Sequence, residues 1–267
     1  MKTEKVMKFK TSQEAWEGLN RYFILMEDEI VERQGVRTGG QLIAFDTILR
    51  IELMQVDPEF DFNKHFNYKI QKWTSLVNNY VNLNYLDLVK NEVKRREAAN
   101  DNTYNISFQF DNSHGHGKGC LLSLTFSRRP YFPDPILIVQ LRSSEIVKRL
   151  IFDFLLIQRM GEYVYGNEGR FGGIFYLPNA YTMAEVSAMY NVHEPIHNMV
   201  AETEESTGDH WMPGPFTRKV LVALEKMATI NQKDIKYKIH LRASKVLQGN
   251  ITGNPLLAKD LDLMGSK

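Results

Sequence analysis

The sequence predicts an α+β protein: one large, mostly antiparallel sheet with helices on one face. Three observations lead there. Short apolar runs rich in β-branched and aromatic residues recur at 104–110, 120–126, 136–141 and 174–177, several bounded by turn residues. Apolar residues at helical spacing fill 11–33 and 68–98 and resume at Ile146. At 267 residues, 43% apolar and 24% charged, the chain suits a single large domain over 1–267, with an extension from about 209 to 267.

Composition also excludes classes of function. A net charge of +1 gives no footprint for direct nucleic-acid contact. The apolar runs are too short to span a membrane, and MKTEKVMKFK lacks the apolar core of a signal peptide. The single cysteine cannot form an internal disulfide, so a cytoplasmic protein is expected. No internal repeat or low-complexity tract is present.

Taken in order, 11–33 reads as an amphipathic helix, with a Thr/Ser cap and Glu14 three places after Thr11. Gln34 to Gly40 is a glycine-rich loop around Arg37, and LIAFDTILRIEL is a strand. Residues 68–98 read as two helical pieces, because the asparagines at 78, 79, 82 and 84 weaken the middle. Asn100-Asp-Asn102 is a turn before the strand that starts at Tyr104. His114-Gly-His116 lies in a Gly-rich loop; zinc would need a second ligand pair, so no metal site is expected. Cys120 opens the strand CLLSLTF, where its default role is a small buried thiol. Arg142 nearby would lower its pKa and favour the thiolate.

The central stretch is ILIVQLRSSEIVKRLIFDFLLI. A strand over 136–141 is followed by Arg142-Ser-Ser-Glu145, and a helix is expected from Ile146 with a serine as N-cap. An arginine at such a strand end and helix start makes a seat for an anion. Asp153 stands between Phe152 and Phe154 in the helix, either desolvated by them or on the exposed face. Beyond it, 166–173 reads as a loop and 174–177 as a strand, with a helix from Pro178 onward. Near the C-terminus a helix over 217–228 and a strand over 235–241 are expected.

The order Cys120, strand pair, Arg142-Ser143-x-Glu145 and then Asp153 eleven residues after the arginine resembles the thymidylate synthase family, including its deoxycytidylate hydroxymethylase branch. Arg37-Thr-Gly39 matches the family's phosphate loop, and Tyr176 keeps the tyrosine of its H-x-Y strand. Cys120 lies two residues further from the arginine than the family spacing, an offset the turn-rich Arg129–Pro135 would absorb.

The resemblance implies a thymidylate-synthase-like fold with a reduced small lobe, whose uncovered sheet face packs against a second copy in a homodimer. It implies one-carbon transfer, methylation or hydroxymethylation, to C5 of a pyrimidine nucleotide. Cys120 would add to C6, Arg37, Arg142 and Ser143 would hold phosphate, and Tyr176 would hold the sugar. Glu145 would contact the cofactor, 5,10-methylenetetrahydrofolate. Asp153 would read the base, and an aspartate there favours cytosine over uracil.

Several positions depart from the family. Lys72, Trp73 or Thr74 replaces its catalytic glutamate, and Thr103, Tyr104 and Asn105 replace a phosphate-binding arginine pair. Leu121, Thr125 and Ile174 stand where the family has His, Gln and His, while Phe126 matches. Arg95, Arg96, Arg128 and Arg129 are candidates to replace the pair. These departures favour an alternative: a nucleotide-binding or partner subunit of the same fold with its chemistry altered or lost.

Overall fold

The computed structural model describes residues 6–25, 41–56, 83–110, 120–183, 186–188, 190–191, 239, 241 and 243. The chain divides into two compact units: Met1–Gly18, Ile43–Phe60 and Tyr68–Tyr181 form one, and Leu19–Leu42, Asp61–Asn67 and Thr182–Lys267 the other. Arg37, the helical piece at 68–82, the histidine loop and the helix expected at 217–228 lie outside the described residues.

Strand β1 (Val6–Thr11) leads into helix α1 (Ser12–Leu25). The Thr11 hydroxyl accepts from Glu14 N–H at 3.1 Å, and the Glu14 carboxylate accepts from Lys10 N–H at 3.1 Å. Two N-terminal donors are thus satisfied, which fixes where the helix starts. One face of α1 buries Ala15, Trp16, Leu19 and Phe23. Trp16 Nε1–H donates to the carbonyls of Ile146 and Val147 at 3.0 and 3.1 Å. Trp16→Phe keeps an aromatic ring but removes the donor to both carbonyls, so urea unfolding should show a loss of at least about 1–2 kcal/mol.

After β2 (Gln41–Leu53) the next described helix is α2 (Leu83–Ala98), followed by β3 (Tyr104–Gln109) and β4 (Leu121–Arg128). Next come β5 (Ile136–Leu141), the two-residue β6 (Ser144–Glu145), α3 (Leu150–Tyr165) and β7 (Gly172–Met183). The sheet runs β1-β2-β7-β5-β4-β3, with β6 also paired to β7.

The fold is α+β, but the sheet is mixed rather than mostly antiparallel. β3–β4 and β4–β5 are antiparallel, whereas β1–β2, β5–β7 and β6–β7 are parallel. The physical reason is plain in the second half. Helix α3 carries the chain back across the sheet, so β7 runs in the same direction as β5.

Register sorts the side chains onto two faces. Ile106, Phe126, Leu137 and Gly173 form one row, and Phe108, Leu124, Val139 and Phe175 the next. Helix α3 packs here: Phe154 meets Phe175 edge-on at 4.8 Å, and Tyr165 meets Phe126 at 5.9 Å. Phe126, Phe154 and Phe175 are fully buried, and each contributes about 1.5–3 kcal/mol. The opposite face carries Asn105, Ser107, Thr125, Gln140 and Tyr176 among half-buried isoleucines. Its hydroxyls bond across strands, Ser107 with Thr125 at 2.8 Å and Ser127 with Asn105 at 2.7 Å. At the sheet's centre, a Cβ on Gly172 would lie 2.8 Å from the Ile51 carbonyl oxygen, so only glycine lets the backbones of β7 and β2 approach this closely.

Three local expectations need correction. The helix begins at Leu150, not Ile146; residues 146–149 form turns, and Arg149 is the N-cap without a side-chain cap bond. The carbonyls of Ile146 and Val147 serve Trp16 instead, and Ile146 N–H donates to Tyr181 O at 2.9 Å. Pro178 does not start a helix but lies inside β7, and the expected helix is found only further on, at the described residues 186–188 and 190–191. β5 pairing with β7 stops at Gln140–Tyr176 and β6 resumes it at Ser144–Ala180, so Pro178 falls in the gap, where no donor is required of it on that side. Ile239 and Leu241 are helical, not the strand expected over 235–241.

Candidate active site

The start of β4, the break between β5 and β6 and the first turn of α3 converge around Arg142. Cys120 immediately precedes β4, and its carbonyl accepts from Arg142 N–H at 2.7 Å, so thiol and guanidinium leave neighbouring chains. A bulge between Leu121 and Ser123 inserts an extra residue in β4 beside the cysteine. Bulges re-aim side chains at strand ends.

Arg142 and Ser143 occupy the break between β5 and β6. β7 faces both short strands at a constant offset of 36 residues, Gln140 opposite Tyr176 and Ser144 opposite Ala180. The break is therefore an interruption within one strand, not a helix N-terminus. Asn179 Nδ2 donates to Arg142 O at 3.4 Å across the gap. Arg142 is exposed and Ser143 half-buried.

Ser144 is buried and donates to Asp153 Oδ2 at 2.7 Å. Asp153 sits in the first turn of α3 between the buried Phe152 and Phe154. Burial pushes its carboxyl up from 3.8 to about 7, against the Ser144 hydrogen bond and the charge of Arg149. A helix N-terminus favours the carboxylate by about 0.3–1 kcal/mol, less than one pKa unit, so desolvation wins.

Cys120 is half-buried, and its thiol is pushed above the usual range first by burial and then by Asp153. Arg142, a hydrogen bond with Ser143, and Arg149 pull it back. Arg142 thus acts in the direction expected, but burial and the neighbouring carboxylate outweigh it. The resting group is the thiol, not the thiolate. Glu145 accepts from the N–H groups of Val147 and Lys148 at 3.3 and 2.5 Å, capping the turn that leads into α3.

The structure therefore brings Cys120, Arg142, Ser143, Glu145 and Asp153 together. Tyr176 projects from the face opposite Phe175, and its hydroxyl donates to Asp46 at 3.1 Å; Asp46 holds the unusual positive φ of 51°. Three members went unread in the sequence: Ser144, Arg149 and Tyr181. Tyr181 faces Glu145 in register, and its phenol is pushed up by burial, then by Glu145, with Cys120 and Asp153 adding to the shift.

Other arginines are engaged elsewhere. Arg95 and Arg96 both bind Glu92, at 2.7 and 2.8 Å, and Arg96 also binds Asp101 at 2.8 Å. Arg128 lies 3.9 Å from Glu97. A cleft of about 350 Å³ is lined by Arg50, Phe132, Asp134 and Arg170 and shares no residue with the Cys120 cluster. Its guanidiniums are already matched, Arg50 stacked over Phe132 at 5.2 Å and Arg170 paired to Asp134 at 3.6 Å. The perturbed acid–thiol pair, not this cleft, marks the candidate active site.

Among the described residues no helix is long and apolar enough to cross a membrane. Comparison with known proteins finds no matching family model and no matching curated protein.

Proposed function

We propose that this protein transfers a one-carbon unit to C5 of a pyrimidine nucleotide, with cytosine the favoured base. The observation that carries the proposal is the convergence of Cys120, Arg142, Ser143 and a protonatable Asp153 at one strand break. Their roles come from the thymidylate synthase resemblance; the geometry supports them by placing them within one small cluster.

In this reading Cys120 Sγ forms a bond to C6 of the base, and the C5=C6 electron pair moves to C5, making it nucleophilic. Loss of the C5 proton and departure of Sγ from C6 later restore the double bond. 5,10-Methylenetetrahydrofolate supplies the one-carbon unit when bound. Glu145 fits a place beside it: the Val147 and Lys148 amides hold its carboxylate in position, and a carboxylate suits ring N–H donors. Arg142 and Ser143 bind the 5′-phosphate, with Arg37 from its glycine-rich loop, and Tyr176 holds the sugar. The half-exposed sheet face is the surface that a second copy covers in a homodimer.

Burial raises both groups, and the Asp153 carboxylate adds to the shift of the thiol. A neutral Asp153 can donate to N3 of cytosine while accepting from its amino group. That same neutral form removes the negative charge that opposes the thiolate. Reading cytosine and activating Cys120 therefore call for the same protonation state of Asp153.

Tritium release from C5-labelled dCMP and dUMP, with and without methylenetetrahydrofolate, tests the proposal. Release from dCMP is expected. Nucleotide binding without release would favour the second reading, a binding or partner subunit, which the thiol's resistance to ionisation also favours. For Arg142→Ala, calorimetry should show dCMP binding weakened about 10- to 100-fold, with deoxycytidine unchanged, since a hydrogen bond to a charged group is worth about 1.5–3 kcal/mol.

A further inference from the structure

We infer that Ser144 is a positioning residue for base choice: its hydroxyl fixes which oxygen of Asp153 accepts and which donates toward the base. The inference deepens the base-reading role given to Asp153 and rests on it.

The geometry is specific. Ser144 is 2% exposed and held in β6 by its pairing to Ala180, so its hydroxyl has a fixed origin. It donates to Asp153 Oδ2 at 2.7 Å. An oxygen that accepts this bond is the carbonyl-like one in the neutral acid, and the proton then resides on Oδ1. A carbonyl oxygen has two lone pairs, so Oδ2 can accept from Ser144 and from the cytosine amino group together. Oδ1–H is left to donate to N3. Uracil presents N–H at N3 and a carbonyl at C4, which this arrangement opposes at both atoms. Without the Ser144 hydroxyl the carboxyl can rotate and exchange its two oxygens, and the preference is lost.

The groups facing Asp153 come from every element around it: Ser144 from β6, Arg149 from the turn before α3, Cys120 beside β4 and Tyr181 from β7. Ser144 and Arg149 both favour the carboxylate. Removing the hydroxyl therefore moves the titration of Asp153 upward, an effect that loss of packing alone would not produce.

The test compares the full chain with Ser144→Ala and Ser144→Thr. Calorimetry with dCMP and dUMP gives the base preference, and carbon-detected NMR of the Asp153 carboxyl gives its titration. In Ser144→Ala the preference for dCMP should fall about tenfold, the worth of one hydrogen bond of this kind, and the carboxyl should titrate at higher pH. Ser144→Thr, which keeps the hydroxyl, should restore both. An unchanged dCMP preference in Ser144→Ala, with the parent protein still favouring dCMP, overturns the role of Ser144 and leaves the cytosine reading standing. A parent protein that favours dUMP, or binds neither nucleotide, overturns both.

Discussion

Cys120→Ser is expected to leave the chain folded and to abolish tritium release from C5-labelled dCMP. A serine hydroxyl at this place is a far poorer nucleophile than a thiolate and a poorer leaving group from C6. Loss of a nucleophile lowers turnover by on the order of 10⁴-fold or more. Stability should change by only about 1 kcal/mol, because the thiol is half-buried and the replacement nearly isosteric. The two readouts separate the roles: a packing cysteine would lose stability and keep exchange. Since Cys120 is the one cysteine of the chain, alkylation by iodoacetamide reports on it directly. Alkylation should be slower at neutral pH than for an ordinary thiol, because burial and Asp153 oppose the thiolate. Exchange persisting at the parent rate in Cys120→Ser would remove this residue from the chemistry.

Asp153→Asn carries the second large effect, in specificity and in stability. An amide that turns so that its NH2 donates to the Ser144 hydroxyl points its carbonyl at N3–H and its second N–H at O4, the complement of uracil. The variant should therefore bind dUMP better than dCMP, each preference being worth about 1–3 kcal/mol, or roughly 10- to 100-fold. Calorimetry with both nucleotides decides it, and tighter dUMP binding by the parent protein would defeat the cytosine assignment. The stability effect has a definite sign. The folded-state pKa is raised from 3.8 to about 7, so the folded protein keeps a proton that the unfolded chain has released between those values. Stability from this site is complete below pH 3.8 and is lost as pH rises to about 7. Asn has no such titration. Asp153→Asn should match the parent near pH 3.5 and exceed it by about 2–4 kcal/mol above pH 7.5, after allowance for the carboxyl's partial solvent contact. Denaturant unfolding across this range measures the difference.

The parts of the fold that were legible are those written in local pattern. β3, β4 and β5 announced themselves through apolar runs between turn residues, and Thr11 with Glu14 announced the start of α1. The approach of Cys120, Arg142 and Asp153 was legible too, through their order along the chain. What was not legible depended on distant partners. Ile146 and Val147 have helical spacing, but their carbonyls are claimed by Trp16, 130 and 131 residues away. Pro178 reads as a breaker unless the gap opposite it, at Arg142, is known. The parallel pairing of β5 with β7 was readable in principle, since a strand, a helix and a strand in succession make a crossover. Ser144 and Tyr181 joined the site only because β6 and β7 are in register, which no local pattern encodes.

The constant offset between β7 and the two pieces β5 and β6 makes the site sensitive to chain length on one side and tolerant on the other. One residue added at Arg142–Ser143 would shift Ser144 away from Ala180 and turn its side chain to the other face of the sheet. The bond to Asp153 would go with it. Residues added among Tyr131 to Asp134 fall beyond the last β4–β5 pair, Ser127 with Ile136, and leave every register in the site as it was. Divergence in this chain can lengthen or shorten the hairpin loop freely, while the six residues from Gln140 to Glu145 must keep their count.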